Sequence, residues 1–209
     1  MEKDVENATV TLTPGDLHPR EAYRLLLSIV VPRPIAWVST LGADGSHNLA
    51  PFSFFNVVGG TPPTVMVSVG QRAGSPKDTL RNVQETGEFV VHIANEDLAE
   101  RLNLTSGEWP YHADEFEIAS LAGVPSTEVK PLRVLEAPVA MECRSTQIVP
   151  VKDTHYTMIL GQVLRYHIRQ SLLGPNGLVQ PLQLGAIARL GGDEYTAIDR
   201  IFSMTRPNV

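Results

Sequence analysis

Three groups of residues in this chain have types and spacing suited to chemistry. Within residues 33–56, RPIAWVSTLGADGSHNLAPFSFFN, the small polar side chains Ser39, Thr40, Asn48 and Ser53 interleave with Trp37, Leu49, Ala50, Pro51 and Phe54. Such a mixture suits a planar ligand, because hydroxyls and amides bond a polar edge while aromatic and aliphatic groups contact the faces. The second group, Lys77 and Thr79, opens an expected helix after Gly70-Gln71-Arg72-Ala73-Gly74-Ser75-Pro76. A cation, a hydroxyl and the free N–H groups of a helix N-terminus can together clasp a phosphate. The third is His155, where a turn enters a strand. An imidazole there can meet a cofactor or a substrate.

Each group also has a plainer reading. Lys77 and Thr79 fit an ordinary capped surface helix with a solvated lysine, and taken alone they favour it. The spacing is not that of a P-loop, since no GK[ST] exists, and no GxGxxG follows a strand as a Rossmann fold would require. Taken alone, His155 reads first as a surface turn histidine, and Phe52, Phe54 and Phe55 fit a core. His18, His47, His92, His112 and His167 show no HxH or HxxxH spacing, so no metal site is expected. No GxSxG elbow is present. The acids Glu85, Glu88, Asp114, Glu115 and Glu117 are expected on solvated faces, and Cys143, alternating within a strand, as a small buried hydrophobe.

The whole chain narrows the field. With 209 residues, one domain is the natural reading, and 43% hydrophobic residues supply a sizeable core. A net charge of −6 with scattered basic residues argues against nucleic acid, whose phosphates demand a basic patch. A single cysteine excludes an intrachain disulfide framework. The polar, acidic start is unlike a signal peptide, and apolar stretches fall far short of the ~20 residues a membrane helix needs. A cytoplasmic protein that binds no membrane is expected.

The elements that must position these residues follow from pattern. Residues 1–18 form a polar N-terminal arm and 19–209 the domain. A helix is predicted over 19–28, ended by Pro32. Alternation across Ile35, Trp37, Ser39 and Ala36, Val38, Thr40 predicts a strand, turned back at Gly42-Ala43-Asp44-Gly45 into a second. A β-branched run at 64–69 is a buried strand. A helix at 77–85, stopped by Gly87, is followed by a strand at 88–93 and by a helix at 96–104 that Asn95 can cap. Residues 105–137 are expected to be loop-rich, followed by two long strands at 139–149 and 156–168. Five or six strands, two or three short helices and many turns give a mainly β fold, a small barrel with peripheral helices.

In order, Arg33-Pro34-Ile35-Ala36-Trp37-Val38-Ser39-Thr40, Asn48-Leu49-Ala50-Pro51-Phe52-Ser53-Phe54-Phe55-Asn56, Pro62-Pro63, Lys77-Asp78-Thr79, Asp114-Glu115-Phe116-Glu117 and Arg189-Leu190-Gly191-Gly192 with Tyr195 make the chain resemble the flavin reductase-like, FMN-binding split-barrel family, in the branch that includes flavoredoxin. The resemblance implies a homodimeric Greek-key split β-barrel with noncovalent FMN near the dimer interface. Ser39, Thr40, Lys77 and Thr79 would hold the phosphate and ribityl end. Trp37 belongs to the same cofactor-binding strand. Asn48, Leu49, Ala50, Pro51, Ser53 and Phe54 would line the ring, and Tyr195 would approach it from the C-terminal segment. The implied activity is NAD(P)H-dependent flavin reduction, NADH or NADPH giving hydride to flavin N5, with His155 positioning or delivering a proton. A monooxygenase or another electron acceptor is the implied partner. The alternative within the resemblance is a flavoredoxin-like electron carrier that holds FMN without oxidising nicotinamide.

Overall fold

The computed structural model describes residues 8–207, so the first part of the expected arm lies outside the described residues. Helix α1 (Pro19–Ile29) leads to β1 (Arg33–Pro34), β2 (Ala36–Leu41), β3 (His47–Phe52), β4 (Phe55–Gly60), β5 (Pro63–Arg72) and β6 (Ser75–Pro76). Next come α2 (Asp78–Thr86), β7 (Glu88–Ile93) and α3 (Ala99–Leu104). The loop-rich stretch also holds three short pieces, α4 (Glu115–Ile118), β8 (Gly123–Val124) and β9 (Arg133–Val134). These pieces are too short to show a period; Asp114 makes α4 by accepting the Phe116 N–H at 2.8 Å. The long strands β10 (Val139–Pro150) and β11 (Tyr156–Ile168) precede α5 (Pro181–Leu184), β12 (Ile187–Arg189) and β13 (Tyr195–Ala197).

Local chemistry sets the boundaries. Gly45, at φ 88°, turns β2 into β3, while Asp44 Oδ1 accepts from Ser46 N at 3.0 Å and Ser46 Oγ at 2.6 Å. Gly87, at φ 72°, ends α2 in the left-handed region and donates to the Val83 carbonyl. Asn95 does not cap its helix; its Nδ2 donates to Asp97 at 3.1 Å.

The main sheet is antiparallel in the order β3-β2-β7-β10-β11-β5-β4, with β6 added to β5. Its two edge strands, β3 and β4, are joined through Ser53 and Phe54 alone. A connection that short forces the sheet to curl until its edges meet, which makes it a barrel with a seam. The Ser68 N–H to Phe54 carbonyl bond, 2.8 Å, carries the β4–β5 ladder into that connection. Beside the barrel, β1, β12 and β13 form a smaller sheet.

Alternation along β2 feeds two cores rather than one core and solvent. Ala36 and Val38 join Phe89, Val91, Ile159 and Val67 inside the barrel. Trp37 packs outside it with Leu49, Leu102, Phe116 and Ile187. Gly161 on β11 leaves room for Phe89, whose ring would lie 2.3 Å from a Cβ there. Cys143 is fully buried in the barrel core, and desolvation pushes its thiol up to about 12, so it packs as an inert hydrophobe.

Two buried polar groups pin the outer segment to β7 and β10. His92 Nδ1 donates to the Trp37 carbonyl at 2.9 Å and its Nε2 accepts the Val134 N–H at 3.0 Å, which fixes the neutral tautomer. Burial pushes its pKa down to about 4. Glu142 is wholly buried and accepts from the N–H groups of Thr127, Glu128 and Val129 and from His167. Desolvation alone would raise its carboxyl, but those donors outweigh it and hold it below the usual range.

Candidate functional site

The hairpin runs along a cavity of about 440 Å³ bounded by β3, the start of α2, the 105–111 loop and Glu115. Asn48, Ala50, Pro51, Lys77 and Thr79 line it, which brings five of the expected residues together. Arg72, Arg81, Trp109 and Tyr111 line it too. A second cavity, about 240 Å³, opens at the barrel seam; Pro51, Ser53, Phe54 and Tyr195 line it with Tyr23, Arg33 and Arg189. Pro51 and Ser106 border both cavities, so the two meet there. Pro51 lies on the edge strand β3, where its missing N–H costs no bond to β2.

At the first cavity the donors are those of an anion site. Lys77 is the N-cap of α2, no side chain caps the helix, and its first N–H groups are left to the cavity. Among the described residues Lys77 has no carboxylate partner, whereas Arg81 is paired with Asp78 at 3.2 Å and stacks on Tyr111 at 4.3 Å. Arg72 donates to the Trp109 carbonyl at 2.7 Å, tying the 105–111 loop across the opening. Beneath this rim Asn48 Nδ2 donates to Thr79 Oγ1 at 3.0 Å and Thr40 Oγ1 at 3.2 Å, and Asn82 Nδ2 donates to Thr40 Oγ1 at 3.0 Å. The network locks α2 onto the hairpin.

Trp37, Ser39, Thr40 and Leu49 are buried and line neither cavity. Trp37 Nε1 donates to Thr105 Oγ1 at 2.9 Å, holding the rim loop from below, and Ser39 Oγ donates to the Leu132 carbonyl at 2.5 Å. His155 is exposed on the β10–β11 turn and lines neither cavity; its carbonyl accepts the Gln71 N–H at 3.0 Å. Its neighbour Tyr156 stacks on Phe54, centroids 5.3 Å apart. Tyr195 lies under the Arg189 guanidinium at 4.4 Å.

One expectation fails here. Glu115, expected on a solvated face, is 6% exposed and forms part of the cavity wall. Its Oε2 accepts the Leu49 N–H at 3.0 Å, a donor that β3 leaves free because that residue faces away from the β2 ladder. Desolvation, then the nearby Asp78 and Asp114, push its carboxyl up to about 7. Arg33 was also missed as a site residue. It is 6% exposed and donates to the carbonyls of Leu27, Val30 and Leu190, each at 2.7 Å, so it ties the end of α1 and the C-terminal segment to the seam. The Glu115–Leu49 and Arg33–Leu190 pairs, 66 and 157 residues apart, leave no local signal; only the acidic pair before Phe116 hints at a helix start.

Barrel, seam and peripheral helices define a mainly β split barrel. The chain belongs to the flavin reductase-like family, whose flavin reductase like domain matches residues 28–183. It is similar to an uncharacterized protein of Aquifex aeolicus, 44% identical over 83% of this chain and 88% of that one. Among solved structures it is similar to nitrilotriacetate monooxygenase component B from Bacillus cereus, with TM-score 0.91 and 34% identity over 95% of this chain and 100% of that one. It is also similar to the 2-nitrobenzoate 2-nitroreductase NbaA of Pseudomonas fluorescens, with TM-score 0.86 and 30% identity over 95% and 96%.

Proposed function

We propose that the protein binds FMN noncovalently and works as an NAD(P)H-dependent flavin reductase. The observation that carries this reading is the meeting, at Pro51, of an uncapped cationic helix start with an aromatic seam. The first end suits a phosphate and the second a flat ring, along one open strand edge. Family membership and the likeness to a monooxygenase component and a nitroreductase support a flavin-dependent oxidoreductase.

In this reading Lys77 and the first N–H groups of α2 hold the phosphate. Thr79, Thr40 and Asn48 fix the angle of that helix against β3. Ala50 to Phe54 carry the ring, with backbone groups of the β3 edge at its polar rim and Phe54, braced by Tyr156, at the seam. When bound, FMN supplies a two-electron acceptor for hydride from the nicotinamide. The chain's task is to orient the rings and to exclude water, for which Pro51 and the Arg72-tethered loop are placed. His155, on the turn beside Tyr156, positions the nicotinamide or delivers a proton. The protein acts as a cytoplasmic homodimer and passes electrons to a monooxygenase or a similar acceptor. No helix among the described residues is long and apolar enough to cross a membrane.

The test is an anaerobic titration of purified protein with NADH or NADPH, with and without FMN. Loss of the visible flavin absorbance supports the reductase, whereas a protein that takes up no FMN overturns the assignment. A flavin-loaded protein inert to both nucleotides overturns the nicotinamide step alone. His155→Ala is expected to lower turnover about tenfold while the FMN dissociation constant stays unchanged.

A further inference from the structure

We infer that Glu115 is a proton-coupled wall of the phosphate end, which must hold a proton while a phosphomonoester dianion occupies the cavity. The inference rests on the FMN reading above and adds to it a residue and a coupled proton. Glu115 Oε2 is engaged by the Leu49 N–H, whereas none of the hydrogen bonds among the described residues takes Oε1. The side chain forms part of the wall of the cavity into which Lys77 and the start of α2 also project.

The charged groups around it explain why a proton is needed. On α4 itself, Asp114 is occupied as the helix cap and Glu117 is exposed. From β3, His47 faces the same helix, its ring 6.3 Å from that of Phe116. From α2, Arg81 is neutralised by Asp78 at 3.2 Å. Across the cavity, Arg72 has the Trp109 carbonyl and, at 3.9 Å, Glu108, with Tyr111 beside them. No Lys or Arg among the described residues lies within ion-pair distance of Glu115. A buried carboxylate with only the Leu49 N–H and its own backbone N–H as donors, and no counter-cation, repels a dianion, while a carboxylic acid offers it an O–H. Its ordinary range is already displaced to about 7, so above pH 7 the free protein loses that proton and binding a dianion must draw it back.

The experiment is an FMN titration of the full-length protein, followed by flavin fluorescence from pH 7 to pH 9. FMN's phosphate is by then largely dianionic, since its second pKa is about 6. The FMN dissociation constant is expected to rise with pH, by up to about tenfold per unit, the limit for one coupled proton. Calorimetry in two buffers of different ionisation enthalpy should show net proton uptake on FMN binding. Riboflavin, which lacks the phosphate, should show neither effect. Glu115→Gln keeps an acceptor for Leu49 and should flatten the pH profile. A flat wild-type profile without proton uptake overturns the inference and leaves the FMN reading standing. Failure to bind FMN at every pH overturns both. The wild-type series and the proton count stand even if the variant does not fold.

Discussion

Glu115 and Glu142 are both buried glutamates, and they sit in opposite electrostatic states. Glu142, on the outer face of the barrel, gathers three backbone N–H groups and His167 and is held below the ordinary carboxylate range. Glu115, in the cavity wall, has the Leu49 N–H and its own backbone N–H, and is pushed up to about 7. Burial alone would push both carboxyls up; the number of donors separates them. One carboxyl is spent on architecture, fastening residues 127–129 to β10. The other is left with bonding capacity that faces the cavity.

The largest effect expected from this contrast is on the Glu142 side. Glu142→Ala strands three amides and a histidine beneath the outer segment, a loss of about 3–5 kcal/mol. Urea unfolding followed by intrinsic fluorescence measures it. A loss under 1 kcal/mol would mean that the loop is held by its apolar contacts, and the contrast between the two glutamates would lose one of its terms.

His92 gives the next largest effect and tests the same outer face from the acid side. Its pKa falls from 6.5 in the unfolded chain to about 4 in the fold. The folded state therefore favours the neutral ring, and the stabilisation is complete above pH 6.5. It is lost as pH falls from 6.5 towards 4, by about 3 kcal/mol over that window. Nuclear magnetic resonance of the ring should show an imidazole that does not titrate between pH 8 and 5. A resonance that titrates near 6.5 would break the tautomer assignment made from the Trp37 and Val134 bonds.

How much of this the sequence discloses depends on the reach of each interaction. The β2–β3 hairpin is legible because its alternation and its Gly-rich turn lie within neighbouring residues. Lys77 at a helix start is legible for the same reason. The extra pieces between residues 105 and 137 are too short for any period to show, and the role of Asn95 was decided by Asp97, two residues on. Glu115 is illegible in principle, since its partner Leu49 lies 66 residues away and an acidic pair before a helix reads as a solvated face. Trp37 and Ser39 on β2 and Leu49 on β3 are expected as ligand contacts, yet all three are buried, and β2 is covered on both faces. Alternation identifies a strand without saying which face is covered by a second layer.

The smallest expected effect bears most directly on the cavity. Glu115 has its pKa raised from 4.5 to about 7, the opposite sign from His92. Its contribution is therefore intact below pH 4.5 and is lost as pH rises through 7, because the fold must then accommodate a buried charge. Solvent on the cavity side screens that charge, so Glu115→Gln should stabilise the flavin-free protein by about 1–2 kcal/mol at pH 8. At pH 4.5 the two proteins should be equal, since wild-type Glu115 is then protonated in the fold and the amide carbonyl replaces its bond to Leu49. Chemical unfolding at the two pH values reads the difference directly. If Glu115→Gln instead destabilises the protein at pH 8, the carboxylate is the form the fold prefers. Glu115 would then be a structural anchor like Glu142, and its wall position would carry no proton chemistry.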